Sequence, residues 1–131
     1  MMSANNSTII SRVAAATITA LQAVKFDAAG KVTPCTVAGE IACGIAQRPA
    51  AAGEVVEVCV HGLTKAIAGA DLTEQGLLMV TAAGKVIDFA ASGAGANEHS
   101  VGSWQPNINH TTTADGEEIF MLFTGASQFG A

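Results

Sequence analysis

The strongest constraint on this chain is that it carries one pattern twice. The pentapeptide Ala-Ala-Gly-Lys-Val occurs at 28–32 and again at 82–86, an offset of 54 residues. At that offset Ile18-Thr19 falls on Leu72-Thr73, Val24 on Leu78 and Phe26 on Val80. Further on the spacing slips, but the frame continues. Gly44, Gly53-Glu54 and Gly62 match Gly102, Gly116-Glu117 and Gly125, and in both copies the last Gly follows the Glu by eight residues. The second copy gains four residues before Gly102 and five between Gly102 and Gly116. The additions are Ala- and Gly-rich at 90–96 and polar at 107–115, which are loop compositions. Self-similarity at a fixed period marks a structural unit used twice. The units are placed at 16–62 and 70–125.

Each unit reads as strands. Residues 23–26 alternate, as do 56–60. The shared pentapeptide is a hairpin: Asp27 and Thr81 bond forward at the first turn position, the two alanines form its centre, and Gly30 and Gly84 take the left-handed conformation that follows. Val56, Val58 and Val60, with Ile119, Met121 and Phe123, belong to the core face of their strands. The opposite face carries Glu57, Cys59 and His61 in one copy and Phe120, Leu122 and Thr124 in the other. Helix is scarce. Residues 71–76 hold a cap, a reciprocal Glu and a Gly stop, enough for one turn. Residues 11–21 are Ala-rich, but the repeat argues against helix in their second half. The expected fold is all-β: a β-sandwich or barrel of two similar halves, with at most a short helix and an extended N-terminal arm.

The chain has 131 residues, 26 of them Ala, with six Lys+Arg against eleven Asp+Glu, net −5. That balance repels phosphate and excludes nucleic acid as a partner. Charged residues are 13% of the chain, about half the usual share. Ala, Thr, Ser and backbone must therefore fill much of the surface, as suits a chain that makes repeated contacts. No uncharged apolar run reaches the roughly 18–20 residues of a spanning helix, and the polar N-terminus lacks a signal-peptide pattern. The expectation is folding in a cytoplasm, with no membrane. Three cysteines, Cys35, Cys43 and Cys59, agree with a reducing compartment.

Candidate chemistry is sparse. Cys59 and His61 share a strand face, but the duplicate strand has Leu122 and Thr124 there, so neither a metal site nor a Cys/His nucleophile is expected. The three thiols read as small buried hydrophobes. Glu117 and Glu118 point to opposite faces and make no acid–base pair. The glycines at 93 and 95 lack the third Gly and the Lys of a phosphate loop. His99 and His110 read as loop residues. With aromatics at 5%, no sugar-stacking platform stands out. The reading is a non-enzyme without cofactor or metal.

Contact residues are easier to name. Residues 1–12 precede the repeat and read as an arm, with a single domain over 13–131. In that arm Ile9 and Ile10, followed by Arg12, are suited to adding a strand to a neighbour's open sheet edge. Trp104, the lone Trp, faces the position of Ala46 and reads either as an interface anchor or as core filling.

The run Gly30-Lys31-Val32, Gly44-Ile45-Ala46, then Ala50 through Val58 as AAAGEVVEV, and Gly62, resembles the small capsid decoration, or cement, proteins of tailed bacteriophages. The resemblance covers residues 16–125. It implies a β-rich homotrimer on the outside of an icosahedral head, at three-fold or quasi-three-fold positions. There it would clamp adjacent major capsid subunits after expansion, with an N-terminal arm taking part. The chain departs from the pattern in its longer second half, whose 107–115 loop is an exposed tip or a lattice contact. The expected function is thus a structural virion protein whose partners are itself and the major capsid protein. The alternatives are a virion-surface module holding a host glycan and a small Cys/His hydrolase.

Overall fold

Turn chemistry sets the frame. In the computed structural model, which describes residues 7–70, 72, 77–89, 99–105 and 115–128, both shared hairpins close as their residues dictate. Asp27 Oδ1 accepts from the N–H of Ala29 and of Lys31, each at 2.9 Å, and Gly30 N–H donates to Asp27 O. Thr81 Oγ1 accepts from Ala83 and Lys85 at 3.2 Å, and Gly84 N–H donates to Thr81 O. Gly30 and Gly84 sit at φ 82° and 78°, where a Cβ would cost about 1–2 kcal/mol.

The strands that these turns join are β1 (Thr8–Val13), β2 (Ala23–Phe26), β3 (Val32–Pro34), β4 (Gly44–Ala46), β5 (Val55–Ile67), β6 (Leu77–Val80), β7 (Val86–Asp88), β8 (His99–Trp104) and β9 (Glu118–Gln128). The fold is all-β. The sheet runs β3-β2-β4-β5-β9-β8-β6-β7, with β1 added on β5. It reads the same from both ends: β3-β2-β4-β5 corresponds to β7-β6-β8-β9. No helix forms among the described residues, and the Ala-rich 14–22 stretch is held by strand-like bonds instead, Ile18 bridging Ala50. The turn expected at 71–76 lies outside the described residues apart from Leu72. His99, expected in a loop, opens β8 opposite Gln128.

The structure extends the repeat at its N-terminal end and corrects the arm. Residues 8–13 are not outside the duplicated core. They pair with the first part of β5 in the registers Ile9↔Cys59, Ile10↔Val58 and Arg12↔Val56. The second part of β5 pairs with β9 as Leu63↔Leu122, Thr64↔Met121 and Ala66↔Ile119. The two sets are equivalent residue by residue. β1 is therefore the first strand of copy one, and the proposed boundary between residues 12 and 13 cuts through it. Each half then curls until its first strand meets its third, by matching parallel bridges Ala14↔Val32 and Ala68↔Val86.

The curling makes two cores. Ile18, Val24, Val32, Val56 and Val58 fill the first, with Ile10 and Val60 packed against it. Leu72, Leu78, Val86, Trp104, Ile119, Met121 and Phe123 fill the second, joined by Ala23, Cys35, Ala42 and Ile45 from the first half. The core face read from alternation holds, with Val60 only half-buried. Gly44 and Gly102 explain their own identity. A Cβ there would stand 2.4 Å from Cys59 O and 2.0 Å from Leu122 O respectively, so each lets β4 or β8 press against its neighbour strand.

Candidate interaction surface

The thiols face inward. Cys35 and Cys59 are buried and Cys43 is half-buried. Burial pushes the Cys35 thiol up to about 12 and the Cys43 thiol to about 11, the protonated, unreactive form. Cys59 is also raised by burial. Its Sγ lies 3.5 Å from the His61 carbonyl oxygen, while the His61 side chain is exposed. Among the described residues no group of three His, Cys, Asp or Glu side chains is placed to hold a metal ion.

The contact residues named from sequence fall into two classes. Ile9, Ile10 and Arg12 lie together on β1. Ile9 is 45% exposed on the outer face, and Ile10 packs inward. Arg12 reaches across the sheet to Phe26, its guanidinium 5.7 Å from the ring centre, a cation–π contact. Because β1 is bonded to β5 of its own chain, these residues do not form a free strand awaiting a neighbour's sheet. Trp104 is 4% exposed inside the second core. Of its two readings, core filling is the one its burial supports, because the side chain is enclosed in the second core.

Between the halves runs an open groove of about 540 Å³, lined by Leu21, Gln47, Thr64, Lys65, Glu118 and Phe120 among others. Leu21 stands at φ 62° on its rim. The polar groups of this groove already bond one another. Gln47 Nε2 donates to Ile45 O at 2.9 Å and Thr64 Oγ1 at 3.0 Å. Lys65 Nζ lies 3.7 Å from Glu118 and 5.7 Å from the Phe120 ring centre.

Exposed apolar side chains lie elsewhere, Val37, Ile41 and Val55 among them. Phe26, Leu77 and Leu122 are 46%, 44% and 37% exposed. Alternation in the sequence puts Leu122 on the second face of its strand but marks none of the three as a contact. The signal was in the repeat: Phe26 aligns with Val80 and Leu77 with Ala23, large groups opposite buried ones. The 107–115 loop and His110 lie outside the described residues apart from Asp115, which meets Lys85 at 3.0 Å.

Comparison with known proteins places this geometry. No family model matches the chain, and no curated protein matches it in sequence. In structure the chain is similar to the head fiber gp8.5 N base of bacteriophage phi29, with a TM-score of 0.63 at 12% identity. The match covers 94% of this chain and 99% of that one. The likeness therefore spans both halves. At that identity it shows a shared fold.

Proposed function

We propose that this chain is a structural protein of a bacteriophage head, a decoration protein. It sits on the outer capsid surface as a homotrimer and ties neighbouring major capsid subunits together. The observation that carries this reading is the fold: nearly the whole chain superposes on the base of a phage head fiber. The glycine frame at Gly30, Gly44, Gly53 and Gly62 supports it independently, through its resemblance to cement proteins.

The physical design agrees. Two small curled sheets welded along one strand make a stiff block, and stiffness limits the ordering cost of attachment. Few charges and several half-exposed apolar side chains suit contacts with a repeated lattice. Three attachment points per trimer would hold far more firmly than one.

The test is the protein composition of purified virions. The expected result is many copies, in fixed ratio to the major capsid protein and removable without opening the head. Absence from the virion, or only a few copies, would overturn the reading. Heads stripped of the protein should also release DNA at a lower temperature than complete ones.

A further inference from the structure

The two halves of the chain meet in a contact whose hairpin and whose outer strand row each have a counterpart among the described residues. In the existing contact the second-half hairpin docks on the first half. Ala23 N–H donates to Gly84 O at 2.8 Å, Gln22 Nε2 to Ala83 O at 3.2 Å, and Gly39 N–H to Val80 O at 2.9 Å. The approach is close enough that a Cβ on Gly84 would stand 2.5 Å from Gln22 Cγ. Val80 is fully buried in one cluster with Ala23 and Ile45. The receiving strands carry the outer row Ala23, Ile45, Cys59, neighbours across β2, β4 and β5 and all three at 0% exposure, of which Ala23 and Ile45 join the second core.

The duplication locates both counterparts. The hairpin at 27–31 is the twin of the docked one. Phe26 stands where Val80 does and is 46% exposed, and around Gly30 nothing lies within 4 Å of where a Cβ would be. The second-half outer row is Leu77, Ser103, Leu122, paired in the same registers across β6, β8 and β9. Its two leucines are 44% and 37% exposed. One chain thus presents a spare plug in its first half and a spare socket in its second.

We propose that copies of this chain associate head to tail through these surfaces, with Phe26 and the 27–31 hairpin of one subunit seated on Leu77, Ser103 and Leu122 of the next. The occupant is a second copy because a hairpin of this build is what fills the equivalent socket inside the chain. The substitutions between twins enlarge the plug and the flanks of the socket. Phe replaces Val on the plug, and Leu replaces Ala and Cys at the two outer socket positions, while Ser103 replaces Ile45 between them and leaves a recess. Unlinked subunits lose translational and rotational freedom on joining, a cost the covalently joined halves do not bear, and the larger apolar groups offset it. Arg12 steadies the Phe26 ring from β1. Such a contact is heterologous and repeats until it closes into a ring. The surfaces rest on the repeat geometry alone. The number of subunits rests on the homotrimer proposed above.

The test is the solution mass of the full chain by light scattering, for wild type, Phe26→Asp, Leu77→Asp and an equal mixture of the two variants. Thermal unfolding of each checks that it folds, and Phe26→Ser and Leu77→Ser replace any aspartate variant that does not. The expected result is a wild-type trimer and a mass about threefold lower for each variant. The mixture should form a heterodimer, because the hairpin of L77D still meets the socket of F26D. Val55→Asp, at an exposed position outside both surfaces, should leave the mass unchanged. A wild-type trimer that survives both substitutions would overturn the surfaces and leave the trimer standing; a monomeric wild type would overturn both. Binding of wild type to heads, scored separately, tests the capsid reading whatever the mass.

Discussion

Ala46 and Trp104 hold the same place in the two halves of the fold. Ala46 pairs with Val58 and Trp104 with Met121, each two residues beyond the glycine that presses against the adjoining strand. Both are buried. One backbone frame thus carries a methyl group in one core and an indole in the other.

That asymmetry fixes two mutational outcomes. Trp104→Ala empties the centre of the second core and should cost about 3–5 kcal/mol, read as a shift in the urea midpoint. Ala46→Trp has no space to fill and should prevent the first half from packing, read as loss of the cooperative transition. A Trp104→Ala protein as stable as wild type would contradict the packing described for β8 and β9.

Gly44 and Gly102 should tolerate no side chain. Alanine at either would put a methyl group against a backbone carbonyl that cannot move without breaking its strand pairing. The expected loss is about 1–3 kcal/mol or more for each. Gly30→Ala meets open space, so only its left-handed backbone should count, about 1 kcal/mol. Denaturant melts of the three variants check the order.

Glu40 should make the fold sensitive to acid. Burial alone would raise its carboxyl. The Lys25 ammonium and the peptide N–H groups of Thr36 and Val37 outweigh burial and hold it below the usual carboxylate range. A carboxyl lowered on folding stabilises the native state above its ordinary value, and that contribution is lost as pH falls through the folded value. Lys25, raised chiefly by its bond to Glu40, loses its share only at the alkaline end. Wild type should therefore lose melting temperature more steeply than Glu40→Gln as pH drops below the ordinary carboxylate range, with the two curves parallel at neutral pH.

The three thiols should be silent in the native protein. With Cys35 near 12 and Cys43 near 11, almost no thiolate exists at neutral pH. Alkylation followed by mass spectrometry should add no label to the folded chain and three labels after denaturation. Fast labelling of Cys59 in the folded protein would contradict its enclosure.

Removing residues 1–10 should destabilise the molecule rather than trim it. The deletion strips Thr8, Ile9 and Ile10 from β1 and takes the Ile10 side chain off the first core. A loss on the order of 2 kcal/mol is expected, visible as a lower melting temperature. An unchanged melt would restore the free-arm reading of those residues.

What could be read from sequence was what acts locally. Asp27 with Gly30, and Thr81 with Gly84, carry their turn geometry in their own chemistry, and the hairpins followed. Alternation at Val56 and Val58 gave the core face. β1 escaped because its six residues share no identity with 62–67, although the offset of 54 places Ile9 on Leu63, Val13 on Ile67 and Ala14 on Ala68. Trp104 stayed ambiguous because its burial depends on Met121, a partner in another strand. The plug and socket were invisible for a related reason. Phe26 and Leu77 are ordinary strand residues until the buried state of Val80 and Ala23 shows what their twins do.

β5 belongs to both halves at once: its first residues close one curl beside β1, and its last open the other beside β9, with Gly62 at φ 109° where the partners change. Along β5 no linker intervenes to act as a hinge. A shear applied to one curl must travel along continuous main chain and its hydrogen bonds into the other, as load passes through a shared beam. The molecule should unfold under heat as one body and, under an applied load, resist as a strut instead of bending like two beads on a string.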